Sequence, residues 1–217
     1  MVKLPKNFGL IAPFATWMVL MTVLPATTWA YAVRTVATAV MLAVTGRWQG
    51  LKTLDERHET CLPSHVSSPL KSLVFRLKSS LWSGVAVGLA VFAMWVLPEQ
   101  FDIPFYRRFC IIGEGGTQAV AEASTLMIVF RLVGSAFVIS VAEELFFRKW
   151  LIGFAGFWPM VVLFAVEHDR WLVAALCGII YGALYLRRGL GAACVAHATT
   201  NLVLGFWVLL TGQWQFW

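Results

Sequence analysis

The sequence predicts an all-α fold: a polytopic bundle of about seven transmembrane helices (six to eight) around a central water-accessible polar cavity. Hydrophobic residues make up 59% of the 217 residues and charged residues only 13%, which excludes an ordinary water-soluble domain. The mean hydropathy is +0.75, and the apolar residues form runs of about the 20 residues that a helix needs to cross a bilayer. Polar side chains recur inside the last three or four of these runs, which predicts the cavity.

The first two apolar runs are separated by Pro25, which predicts a helical hairpin because proline interrupts helices. An alternative interpretation makes the first run a cleavable signal peptide that ends near Ala30, because Lys3 and Lys6 precede it. The candidate spans are residues 8–24, 27–44, 81–97, 126–151, 157–167, 171–186 and 190–210.

Two polar stretches, residues 47–80 and 98–124, interrupt the apolar pattern and are predicted connectors. Within the first, residues 71–80 have apolar positions at helical spacing, so they form either a helix on the membrane surface or a short solvated helix. The chain is then one integral domain in two parts. Residues 1–124 hold the N-terminal hairpin, the third span and the connectors, and residues 125–217 hold the core that carries the polar positions.

The net charge of +6 does not indicate binding of nucleic acid, because Lys and Arg form short clusters between apolar runs instead of one basic stripe. These clusters fit the positive-inside rule with the N-terminus in the cytoplasm and the C-terminus outside. In that orientation, the external cations are Arg107, Arg108 and Arg170. The predicted partner of this chain is therefore the lipid bilayer and not nucleic acid.

Glu143 and Glu144 lie in the segment SVAEELFFRKW, inside the fourth apolar run. A charged side chain at a helix centre costs roughly 2.5–3.5 kcal/mol on insertion scales, so two adjacent acids there indicate a function. Arg148 follows Glu144 by four residues and is expected on the same helical face. Two close carboxylates do not ionise together readily, so the pKa of one of them can be raised toward neutrality. A glutamate with such a pKa could act as a general base. The open alternative is a structural ion cluster that holds helices together.

Two further polar intrusions follow in the later runs. His168 comes four residues after Phe164 and is expected beside that ring, and His197 and Asn201 are one helical turn apart and project together. With the acidic pair, these residues supply a proton acceptor for water, an imidazole to orient or relay the proton, and oxyanion donors. The sequence has no Gly-x-Ser-x-Gly elbow, and its four cysteines have no CxxC spacing. Neither a serine nor a cysteine nucleophile is therefore predicted.

The order EExxxR, FxxxH and HxxxN resembles the CPBP family of glutamic-type intramembrane proteases, which includes CAAX prenyl endoproteases and bacteriocin-processing (Abi) proteins. Here the motifs begin at Glu143, Phe164 and His197. The resemblance implies a catalytic membrane core in residues 125–217 and gives seven residues a role. It implies that Glu143 and His168 activate water, that His197 and Asn201 form the oxyanion hole, and that Glu144, Arg148 and Phe164 support the site.

The segments VAHATTN and TGQW also resemble the bacterial CAAX protease-related proteins associated with exosortase and PEP-CTERM sorting. This second resemblance implies an enzyme of the bacterial inner membrane that cuts the C-terminal sorting or CAAX-like tail of an exported protein. We therefore expect an intramembrane endopeptidase with a membrane-associated protein substrate and without a cofactor or metal.

Two alternatives stay open. One is a membrane hydrolase in which His168, His197 and a Glu bind zinc, although HExxH is absent. The other is a non-enzymatic transporter, immunity protein or scaffold protein whose polar cluster is a proton or ion site.

Depth in the bilayer refines the fourth span. His197 is expected near the middle of its helix, about 14 Å from the helix start in a hydrocarbon core about 30 Å thick. For Glu143 to reach the same depth, the fourth span must shift to residues 132–154, which buries Arg148. Residues 158–168 then form a partial span that turns at mid-membrane beside a water-filled cavity.

Overall fold

A computed structural model describes residues 7–49, 69–112 and 124–216. Every regular element in these ranges is helical, which confirms the all-α prediction. A one-turn 3₁₀-helix, Trp214–Phe216, follows the last α-helix. The α-helices are α1 (Phe8–Val23), α2 (Thr28–Gln49), α3 (Pro69–Gln100), α4 (Pro104–Phe109), α5 (Thr125–Ala155), α6 (Phe157–Val166), α7 (Trp171–Arg188) and α8 (Leu190–Thr211).

Five helices of the described residues are long and apolar enough to cross a membrane, and the chain is an integral membrane protein. These are α2, α3, α5, α7 and α8, while α1 and α6 are apolar but shorter. An apolar helix is therefore present at each of the seven expected positions. The number of helices that cross the bilayer, and the orientation of the termini, stay predictions.

Helices extend further into both predicted connectors than the sequence indicated. Residues 71–80 are the first part of α3 instead of a separate surface helix, and α3 continues through Pro98 to Gln100. Hydropathy marks where a chain becomes apolar, whereas a helix continues as long as its backbone hydrogen bonds do. The side chains of residues 69–77, and all of residues 50–68 and 113–123, lie outside the described part of the chain.

The predicted hairpin is formed by α1 and α2, which pack against each other with Pro25 in the connection. Arg34 of α2 donates hydrogen bonds from Nη2 to the carbonyl oxygens of Leu24 and Pro25, at 2.9 and 3.0 Å. The last carbonyl groups of a helix lack intrahelical partners. Arg34 therefore fixes the end of α1.

Helix α5 contains two π-helical segments, Gly134–Ile139 and Glu144–Leu151, on either side of a single α-helical turn, Ser140–Glu143. Such widened turns are frequent at functional sites. Arg148, in the second segment, is 0% exposed, as the shifted span predicted.

Helices α3 and α8 pack with their backbones in close contact. A Cβ atom at Gly88 would lie 2.5 Å from the carbonyl oxygen of Ala196 and 2.6 Å from Cβ of Thr199. Gly84, one turn earlier, makes a similar approach to Val195. Small residues at this spacing allow membrane helices to approach each other closely. This contact fixes α8, which carries the HxxxN motif.

Candidate active site

Glu144 is the centre of a buried charged cluster. Its Oε1 lies 3.1 Å from Nη1 of Arg148 and 2.8 Å from Nδ1 of His197, and the side chains of Glu144 and Arg148 are 0% exposed. A carboxylate oxygen accepts hydrogen bonds, so Nδ1 of His197 is the donor to it. The predicted pairing of Glu144 with Arg148 is therefore present, and it also orients His197.

Arg148 is held by aromatic rings as well as by Glu144. Its Cζ lies 4.2 Å from the ring centroid of Phe164 and 5.4 Å from that of Tyr181. A guanidinium over an aromatic face is attracted by the ring quadrupole, the more so when it is desolvated. Phe164, the first residue of FxxxH, thus contacts the last residue of EExxxR.

Glu143 points to a different environment from its neighbour in sequence. Its Oε2 is buried, and it has no hydrogen-bond partner among the described residues. The nearest ring nitrogen is Nε2 of His197 at 3.7 Å, which is too long for a hydrogen bond. Glu143 therefore has a carboxylate oxygen that can bind water or a substrate.

His168 has a defined ring orientation. Its Nδ1 is 2.8 Å from the carbonyl oxygen of Phe164. A carbonyl accepts only, so Nδ1 carries the proton and Nε2 of the neutral ring is left as an acceptor. The ring packs between Phe164 and Trp95, with centroid distances of 4.7 and 5.9 Å.

Asn201 joins α8 to the first π-helical segment of α5. Its Nδ2 donates to the carbonyl oxygen of Ser135 at 3.0 Å and to Oγ of Ser140 at 3.1 Å. Both amide hydrogens are therefore engaged, and the oxyanion role that the resemblance implies requires one of these bonds to be exchanged. That role stays a prediction.

A cavity of about 210 Å³ lies among these side chains and has room for several water molecules. Four of the residues with predicted roles in catalysis, Glu143, His168, His197 and Asn201, line it together with Phe164. Its remaining lining residues are Tyr31, Trp95, Arg131, Ser135, Cys177, Tyr181, Thr200, Leu204 and Phe216.

A family model described as type II CAAX prenyl endopeptidase Rce1-like matches residues 123–203. This segment of the chain, called the Rce1-like segment, is similar to that family. It includes all three motifs, which confirms the resemblance to the CPBP family, and it implies a membrane hydrolase of the CAAX protease type. The association with exosortase stays a prediction. No curated protein and no solved structure matches the chain.

Two residues of the Rce1-like segment contribute to the site although the sequence did not single them out. The ring of Tyr181 stacks on that of His197, with centroids 5.1 Å apart and planes at 25°. The hydroxyl of Thr200 donates to the carbonyl oxygen of Gly88 at 2.9 Å, so the Tyr181 hydroxyl, 2.6 Å away, donates to Thr200. Tyr181 lies in an apolar run without a motif, whereas Thr200 directly precedes Asn201.

The structure brings all seven predicted site residues of the Rce1-like segment into one cluster. Five line the cavity, and Glu144 and Arg148 contact His197 and Phe164 behind its wall. In residues 7–49, 69–112 and 124–216, no group of three or more His, Cys, Asp or Glu side chains could hold a metal ion.

Proposed function

We propose that this chain is a glutamic-type intramembrane endopeptidase in which Glu143 activates a water molecule inside the bilayer. One observation carries the proposal: Glu143, His168 and His197 line a single cavity in the Rce1-like segment. The unpartnered Oε2 of Glu143 supports the choice of this carboxylate as the base.

In the first step, Glu143 takes a proton from water while Nε2 of His168 accepts the other hydrogen and orients the nucleophile. The water oxygen bonds to the peptide carbonyl carbon, and the carbonyl oxygen becomes an oxyanion. His197, when its Nε2 carries a proton, and Asn201 donate to that oxyanion, with Asn201 releasing the Ser140 hydroxyl to do so.

In the second step, Glu143 returns the proton to the peptide nitrogen, the C–N bond breaks, and the two product chains separate. Glu144 and Arg148 act behind the cavity wall. Their ion pair holds Nδ1 of His197, so Nε2 keeps its direction through both steps.

The proposed substrate is the C-terminal sorting or CAAX-like tail of an exported protein in the bacterial inner membrane. Two points support it: the match to the CAAX prenyl endopeptidase family model, and the sequence similarity of VAHATTN and TGQW to exosortase-associated members. A cavity inside the helix bundle suits a substrate segment that enters from the membrane.

The test compares the C-termini of membrane proteins by mass spectrometry in cells that express wild type or Glu143→Gln. We expect shortened C-termini in wild-type cells and their loss in the variant, because removing a general base lowers rates by about 10²–10⁴-fold. Asp102→Asn is the matched control, since it makes the same exchange in an ion pair exposed at the surface. Identical C-termini in all three strains would refute the proposal and favour the non-enzymatic alternative.

The zinc alternative is tested with the purified protein on a peptide identified in this way. Cleavage by protein that elemental analysis shows to be metal-free, after exhaustive chelation, is the expected result. Loss of cleavage that is restored by zinc alone would replace the glutamic mechanism with a zinc-dependent one.

A further inference from the structure

The cavity is smaller than the sites that usually hold a ligand. Its volume is about 210 Å³, whereas pockets for small ligands measure roughly 300–1,000 Å³. A peptide segment is larger than most such ligands, so part of the cavity wall must move before the proposed substrate can reach Glu143. Segments with few buried contacts and exposed hydrogen bonds open most readily.

Phe216 belongs to the shortest element of the cavity wall. The lining residues lie in α-helices, with two exceptions. One is His168, whose ring is fixed by the hydrogen bond from Nδ1 to the carbonyl oxygen of Phe164. The other is Phe216, which lies in the one-turn 3₁₀-helix after α8 and is 7% exposed. The cavity would therefore widen if this one ring moved.

Residues 212–216, the return segment, reverse the direction of the chain after α8. Gly212 has a φ of +70°, a left-handed conformation that favours glycine and ends the helix. The side-chain amides of Gln213 and Gln100 then form hydrogen bonds of 2.6 and 3.4 Å with each other. This contact is exposed, so water competes for the same groups and the anchor can be exchanged at low cost.

The ring of Phe216 rests on a cation that has a second partner. The Cζ atom of Arg170 lies 4.7 Å from the ring centroid, and the same guanidinium forms a buried ion pair with Glu99 at the end of α3. The ring is attracted by the guanidinium, but it can leave without unpairing either charge. Arg170 is thus a fixed support from which Phe216 can be released.

We propose that the return segment is a lid on the cavity, which opens at the turn of Gly212 to admit the substrate. In the closed state Phe216 rests on Arg170 and completes the cavity wall. This proposal rests on the proposed function and adds a conformational step before hydrolysis. The lid lies outside the Rce1-like segment, which ends at residue 203. A substrate that binds only the open state has an apparent affinity reduced by the open fraction.

The test measures how fast the thiol of Cys177 reacts in the full chain in phosphatidylcholine nanodiscs. Cys177 lines the cavity and is 2% exposed, so a closed lid should protect it from 2-aminoethyl methanethiosulfonate. Peptide mass spectrometry assigns the label to each cysteine. Gln213→Ala keeps the Phe216 ring and removes the amide that contacts Gln100. We expect it to raise the labelling rate of Cys177 about fivefold, because lost hydrogen bonds shift the lid toward its open state. Phe216→Ala should raise the rate at least as much.

Phe101→Ala is the matched control, because it removes a ring that is 73% exposed and follows Gln100 in sequence. It should leave the labelling rate of Cys177 unchanged. Cys110 is the internal reference, since it is 1% exposed and does not line the cavity. An equal rise at Cys110 and Cys177 would show that the whole fold has loosened, which overturns the lid. Unchanged labelling in Gln213→Ala would overturn it too, because Phe216 would then be a fixed part of the wall.

Cleavage connects the lid to the proposed function. With a peptide identified from the comparison of C-termini, the KM of Gln213→Ala should fall by the factor by which labelling rises, while kcat stays unchanged. Faster labelling with an unchanged KM would overturn the lid as the entrance for substrate. Absence of any cleavage that depends on Glu143 would instead count against the proposed function, and the labelling rates would still decide whether the lid opens.

Discussion

Two faces of α5 each carry a glutamate in a different environment. The packed face carries Glu144 and Arg148, and the cavity face carries Glu143. On the packed face, Glu144 is 0% exposed and contacts both Arg148 and His197. On the cavity face, Glu143 leaves Oε2 without a hydrogen-bond partner among the described residues. The two glutamates are adjacent in sequence, yet one contacts a guanidinium and an imidazole and the other opens onto a space that can hold water.

In the proposed mechanism, this difference separates a carboxylate that supports the site from the carboxylate that takes part in the reaction. An ion pair in a low-dielectric interior is stable only while both partners are present, and its groups are already committed to each other. A carboxylate without a protein partner remains able to exchange protons with water. The packed face therefore supports the site, and the cavity face supplies the base in the proposed mechanism.

The largest effect that would test this comparison is on stability. Arg148→Ala should lower the free energy of unfolding by about 3–5 kcal/mol, because it leaves the buried charge of Glu144 without its guanidinium partner. Glu143→Gln should change it by no more than about 1 kcal/mol, since no described hydrogen bond to Oε2 is lost. Denaturant unfolding of both variants in the same detergent, followed by circular dichroism, measures the difference. Equal losses would show that the two faces are not distinct.

The parts of this site that depend on local spacing could be predicted from the sequence. Residues four apart on a helix meet, so the spacing of Glu144 and Arg148 indicated their contact, and the spacing of Phe164 and His168 indicated that their rings are neighbours. Long apolar runs likewise indicated where the helices lie. Both predictions use geometry within one helix, which the chain order determines.

The parts that depend on contacts between helices could not be predicted. Adjacency alone makes the two glutamates nearly equivalent. Spacing pairs Glu144 with Arg148, but which carboxylate faces the cavity depends on the positions of α8 and of the cavity itself. Tyr181 contacts His197 through the packing of α7 on α8, which no spacing within either helix reveals. The two π-helical segments of α5 are also invisible in the hydrophobic pattern, because one extra residue per turn leaves the composition unchanged.

The close contact between α3 and α8 sets the position of α8 beside the cavity. Gly88→Ala places a methyl group 2.5 Å from the carbonyl oxygen of Ala196, so α3 and α8 must separate. We expect a loss of about 1–3 kcal/mol in the free energy of unfolding and loss of peptidase activity, because His197 and Asn201 move with α8.

Gly153→Ala is the matched control for this change, because nothing lies within 4 Å of the added Cβ. It should be neutral or should stabilise the helix by roughly 0.5–1 kcal/mol. Unchanged peptidase activity in Gly88→Ala would mean that the cavity face tolerates a displaced α8, which contradicts the positioning argument.

The smallest expected effect comes from the hydroxyl of Tyr181, which connects His197 to the contact between α3 and α8. Tyr181→Phe keeps the ring stacked on His197 and leaves the hydrogen bond from Thr200 to Gly88 in place. It removes one hydrogen bond, so we expect a loss of about 0.5–1.5 kcal/mol in stability. Thr200→Val should cost more, because it also leaves the Tyr181 hydroxyl without its acceptor. A loss of unfolding free energy in Tyr181→Phe as large as that in Arg148→Ala would contradict this expectation. The Tyr181 hydroxyl would then belong to the charged cluster of Glu144 and Arg148, and the packed face would extend from α5 to α7.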